Sequence, residues 1–77
     1  MNDREKRDLY HVPLLICWQF FKDFWNPDGT DEFWPKLVAQ QEAIWKEFGK
    51  TEFVLELTRV FVNEIERIEK TQRENKQ

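Results

Sequence analysis

Cysteine and histidine are nearly missing from this chain of 77 residues, which holds one of each, Cys17 and His11. A lone cysteine closes no disulfide within the chain. One Cys with one His falls short of the four soft or imidazole ligands of an ordinary zinc site. No glycine-rich phosphate loop, His-rich metal motif or nucleophile elbow is present. The longest apolar stretch, Val12 to Phe21, is ten residues long, about half of the ~20 that a membrane-spanning helix needs. It follows MNDREKRD, whose charges balance, and no small-residue cleavage site comes after it. Basic charge is not in excess: 12 Lys and Arg stand against 15 Asp and Glu, for a net −3. That balance suits solubility and supplies no attraction to nucleic acid or anionic lipid. The unpaired cysteine and the missing targeting segment lead us to expect a cytoplasmic protein.

What the chain has in quantity is aromatic surface: four Trp, seven Phe and one Tyr. A core built from so few residues contributes only about 3–5 kcal/mol of net stability. With disulfides and zinc set aside, dense aromatic packing and oligomerisation remain as sources of more.

Apolar periodicity predicts three helices in one domain. Helix 1 is expected over about 12–26, with Leu14, Cys17, Trp18, Phe21, Phe24 and Trp25 on one side, Ile16 and Phe20 extending its flank, and Pro13 at the first helical position. Helix 2 is expected over about 31–48. It would be capped by Thr30 or Asp31, with an irregular first turn at Pro35, and be closed by Gly49 in the left-handed conformation. Helix 3 is expected over about 51–72, with Phe53, Val54, Leu57, Val60, Phe61, Ile65 and Ile68 as its core stripe. Glu66–Lys70 and Glu69–Arg73 are pairs of the spacing that extends a helix. Short connections make successive helices antiparallel, giving an all-α, up-down-up three-helix bundle with a frayed, charged C-terminal tail. Matching levels puts Trp25 near Trp34 at one end and Phe48 near Phe53 at the other.

The segment FWNPDGTDEFW, residues 24–34, resembles a calcium loop in composition. Placing Gly29 at the sixth loop position sets Asn26 and Asp28 at the third and fifth. It also sets Phe24 at the first, where an acid belongs, Asp31 where an apolar residue belongs, and Pro35 at the twelfth, where a bidentate Glu belongs. Turn chemistry accounts for the same residues: Asn26 and Pro27 stop a helix and Pro-Asp-Gly reverses the chain. We therefore read a turn and expect no metal or cofactor. Cys17 and His11 lie six residues apart with no third group to orient the imidazole, so no catalytic pair, enzyme activity or small-molecule substrate is expected.

Two features point toward interaction. Gln41 interrupts the apolar stripe of helix 2 and is a candidate buried polar residue, as Glu64 is on helix 3. Leu55 and Val62, with Thr58 between them, fall opposite the assigned core stripe of helix 3, and helix 1 carries a wider apolar arc than a three-helix bundle covers. The expected partner interface is Leu55, Thr58 and Val62 with a flank of helix 1, either Ile16 and Phe20 or Trp18 and Trp25. Charging Leu55 and Val62 would then abolish association and spare helicity. The function read from this pattern is a non-enzymatic interaction module of accessory, inhibitor or regulator type, forming a homodimer or binding a larger protein. The alternative is a nucleic-acid-binding accessory protein that uses helices 2 and 3 as a helix-turn-helix, or the basic residues Arg4, Lys6 and Arg7. It is disfavoured by Glu52 and Glu56 at the start of the recognition helix.

Overall fold

Three helices packed side by side make up the computed structural model, which describes residues 1–75. α1 covers residues 3–24 as one rod of α-helical Asp3–Lys6, π-helical Arg7–His11 and α-helical Val12–Phe24. α2 is Phe33–Glu47 and α3 is Glu52–Asn75. Connections of eight and four residues make neighbours antiparallel, and each helix touches the other two. This is the expected up-down-up bundle. α3 passes the expected end near residue 72, and the fraying foreseen for the last residues falls partly on Lys76 and Gln77, outside the described residues.

α1 begins nine residues earlier than the apolar pattern suggests. Asn2 caps it by accepting the Glu5 N–H at 2.8 Å, and Asp3 and Glu5 sit at the positive end of the helix dipole. Pro13 is consequently internal to the rod and fully buried. The ladder changes just before it, where the Val12 N–H reaches back five residues to the Arg7 carbonyl. A π-type turn beside a residue that donates no hydrogen bond accommodates the ring that would break a regular helix.

The first connection folds on itself. The Asp28 carboxylate accepts the Thr30 N–H at 2.9 Å and the Thr30 hydroxyl at 2.7 Å, while Gly29 takes φ +75°. Thr30 is therefore spent on the turn and does not cap α2, and neither does Asp31; the capping position falls to Glu32, which makes no side-chain cap. Pro35 is the third residue of α2, where an N–H has no partner within the helix in any case, so the first turn stays helical.

The second connection is held by Trp45. Gly49 and Lys50 both adopt left-handed φ, +76° and +59°. The Lys50 N–H bonds to the Trp45 carbonyl at 2.9 Å, the Trp45 indole N–H donates to the Thr51 carbonyl at 3.2 Å, and the Lys50 ammonium lies 5.7 Å from the Trp45 ring centre. Thr51 then caps α3 through the Val54 N–H at 3.4 Å.

α1 sends Cys17 and Phe20 into the core, α2 sends Phe33, Leu37 and Ile44, and α3 sends Val54, Thr58 and Ile65. This keeps Val54 and Ile65 of the expected stripe inside, with Leu57 and Phe61 packed against the core, but turns α3 part of the way round from it. Phe53 and Val60, assigned inward, are exposed; Leu55 and Val62, assigned outward, are half-buried, and Thr58 is fully buried. The reason is the cost of the polar residue each alternative buries. A stripe through Phe53, Leu57 and Val60 continues into Glu64, whereas the stripe through Val54 and Ile65 contains only Thr58. A threonine hydroxyl can satisfy itself against its own helix, and a carboxylate cannot. The Thr58 hydroxyl donates to the Leu55 carbonyl at 2.9 Å and accepts from the Gln41 side-chain amide at 3.2 Å. Gln41 is accordingly half-buried and bonded across the α2–α3 seam.

The bundle ends also differ from the expected pairs. Phe24, not Trp25, meets α2, with its ring 5.7 Å from Phe33 in an edge-on arrangement, while Trp25 folds back against Trp18 and Phe21. At the other end Phe53 meets Tyr10 at 5.1 Å rather than Phe48. One residue along a helix is about 100° around it, enough to exchange a core position for a flank.

Two measurements check these features. Val62→Lys lowers unfolding free energy by about 2 kcal/mol or more, while Val60→Lys, two residues away, changes it by less than about 0.5 kcal/mol; equal effects in denaturant titration would mean that α3 is rotated otherwise. Nothing lies within 4 Å of a Cβ built on Gly49, so the effect there is conformational alone. Gly49→Ala costs about 1 kcal/mol, and Lys50→Gly raises stability by up to about 1 kcal/mol, both read from thermal unfolding.

Candidate protein-docking surface

α1 is apolar nearly all the way round, and a three-helix bundle buries only one side of it. Its buried side is Pro13, Cys17 and Phe20. Toward α3 it presents Tyr10, Leu14, Trp18 and Trp25, spaced so that they follow one another along the rod, and all four are exposed. Around the rest of the rod it presents Leu9, Val12, Leu15 and Ile16, also exposed.

The Tyr10–Trp25 strip does not stand alone. The Tyr10–Phe53 contact at one end and the stacked Phe21–Phe61 pair at the other, each 5.1 Å between ring centres, hold α3 alongside it. Phe53 and Val60 of α3 are themselves exposed, Val60 at 61%. The indoles are locked by their neighbours: Trp18 lies 5.9 Å from both Phe21 and Trp25, and Trp25 lies 5.7 Å from Phe21, largely edge to face. Rigid, half-exposed indoles lose little side-chain entropy on docking, which is why Trp so often dominates contact energies. The border is charged: the Lys22 ammonium lies 5.7 Å from the Trp18 ring centre, and Glu64 pairs with Arg67 on α3.

Of the residues expected at an interface, Trp18, Trp25 and Ile16 are exposed. Phe20 and Thr58 are enclosed in the core and offer no surface. Val62 packs against the core from a half-buried position. Leu55 lines a shallow groove of about 260 Å³ between α2 and α3, with Val38, Trp45 and Arg59. Leu14, Phe53 and Val60 belong to the exposed face although periodicity assigns them to the core, and Tyr10, which joins them, lies ahead of the expected start of helix 1. The signal that separates them is the polar residue each stripe would bury, Thr58 against Glu64.

The other candidates resolve as structural. Thr30, first through its N–H and then through its hydroxyl, holds the Asp28 carboxyl below the usual carboxylate value. A small hollow of about 180 Å³ beside it is lined by Asp23, Asn26, Glu32 and Lys36 among others. Among the described residues, no three His, Cys, Asp or Glu side chains gather closely enough to hold an ion. Cys17 is enclosed while His11 is solvent-exposed, so the two are not brought together. Burial raises the Cys17 thiol from 9.0 to about 11.

That shift fixes a pH dependence. Between about pH 9 and pH 11 the unfolded thiol has lost its proton and the folded one keeps it, so stability is full below pH 9 and falls as pH rises through this window. Denaturant midpoints across the window decline in the wild type more steeply than in Cys17→Ala. Thiol reagents at pH 8 label the folded chain only as fast as it opens. Parallel declines, or immediate labelling, would contradict the burial.

No known protein family, no curated protein and no solved structure matches this chain.

Proposed function

We propose that this chain is a small, non-enzymatic protein-interaction module, acting in a reducing compartment such as the cytoplasm, whose working part is the aromatic face of α1 and α3. The observation that carries this reading is the exposure of Leu14, Trp18, Trp25, Phe53 and Val60 on one side of a bundle that already has its own core. A continuous apolar face on a small domain is costly in water and marks an interface. Docking would bury indole and aliphatic surface at the centre and leave Lys22 and Glu64 at the rim. The fully buried Cys17 and the carboxylate of Asp28, engaged in its turn, supply no reacting group to this face. Among the described residues, no helix is long and apolar enough to cross a membrane. The alternative of nucleic-acid binding is weakened where α3 offers bases, because Arg67 and Arg73 are paired with Glu64 and Glu69.

Substitution at the most accessible positions of the face separates docking from folding. Leu14→Glu combined with Val60→Lys retains the far-ultraviolet circular dichroism of the wild type and its melting behaviour to within about 1 kcal/mol. It also abolishes association, whether with a second copy or with another protein, as read by column elution and pull-down. Loss of the helical signal would mean that these side chains hold the fold together and are not a docking face. Retention on duplex DNA that falls with salt, unchanged in this variant, would favour the nucleic-acid reading.

A further inference from the structure

We infer that the occupant of the α1–α3 face is a second copy of this chain, an inference that rests on the docking reading above and names its partner. The first argument is area. The chain exposes 5884 Å², whereas a compact monomer of 9.5 kDa exposes about 5,000 Å². Part of the excess lies on the charged ends, which water solvates without cost, and part on exposed apolar side chains, those of the aromatic face among them. Tyr10, Trp18, Trp25 and Phe53, each between 36% and 46% exposed, leave roughly 60–100 Å² apiece, and Leu14 and Val60 roughly 50 Å² each. Two such faces closed together, with apolar atoms making up about 65% of a homodimer interface, hide roughly 1,100–1,500 Å² in all. That reaches the size at which specific interfaces become stable.

The second argument is charge. The strip on α1 holds no ionised side chain; on α3 the stripe of Phe53 and Val60 carries Glu64, which is neutralised by Arg67, and Lys22 lies over Trp18. Nothing on the face repels its own copy, and nothing on it calls for a partner of opposite sign. The third argument is shape. α1 and α3 run in the same direction, so the face is a pair of parallel ridges. A twofold axis lying in the plane of contact sets two such pairs against each other as a layer of four helices. The contact is closed and isologous.

Sedimentation equilibrium of the full chain tests this across concentrations from about 1 µM to about 500 µM. The expected result is twice the 9.5 kDa chain mass. Leu14→Glu with Val60→Lys brings the mass to that of one chain with helicity retained, and Ile16→Glu, about 200° around α1 from Leu14 and exposed, leaves the dimer intact. In the wild type, tryptophan emission shifts red on dilution with the same midpoint as the mass, which tests the face even where the double variant fails to fold. A wild type that sediments as one chain throughout overturns the inference, as does a dimer that survives the double variant or dissociates in Ile16→Glu. A monomeric wild type with a stably folded double variant refutes only the second copy and leaves the docking face standing. A double variant that unfolds, with no emission shift in the wild type, refutes both.

Discussion

Thr58 decides which way α3 faces, and the outside of the molecule follows from that choice. Its hydroxyl is the one polar group that α3 carries to full burial among the described residues, and it is satisfied twice, by the Leu55 carbonyl and by Gln41. Rotating α3 to bring Phe53 and Val60 inward would carry Glu64 with them, and burying a carboxylate without a cation costs several kcal/mol. The cheaper solution keeps a neutral hydroxyl inside and leaves Phe53 and Val60 in water. The exposed face is thus a consequence of how the core satisfies its polar groups.

The helices, their order and their antiparallel arrangement were legible in the sequence, because apolar periodicity is strong and Gly49, Thr51 and the Pro-Asp-Gly turn punctuate it. The rotation of α3 was less legible. Phe53 and Val60 are seven residues apart, as are Leu55 and Val62, so periodicity alone gives each pair the same standing. Only the price of burying Thr58 or Glu64 separates them, and that depends on Gln41 arriving from α2 at the right level. The end contacts were misplaced for a similar reason, Phe24 and Trp25 being adjacent and both aromatic. Ahead of residue 12 the charges of residues 2–8 hide the helical pattern, yet Asn2 caps a helix continuous with the rest of α1.

Of the exposed aromatic face, Trp18 and Trp25 were legible because α1 has more apolar residues than one bundle side can hold. Leu14 was not, since it falls within the arc that periodicity assigns to the core. Tyr10 was not either, because its position opposite Phe53 depends on the path of the chain through the π-helical segment. A side chain placed by an irregular stretch is beyond any argument from regular spacing.

The π-helical segment Arg7–His11 divides α1 into two parts whose angular positions are set separately. A π turn holds one more residue than an α turn over nearly the same path, so it acts as an insertion already absorbed into the rod. Removing a single residue there would restore an ordinary ladder and leave Asp3–Lys6 facing as it does now. Pro13 and everything after it would stay where they are. The charged tip of the molecule can therefore keep its direction through a one-residue change of length, without disturbing the core or the aromatic face.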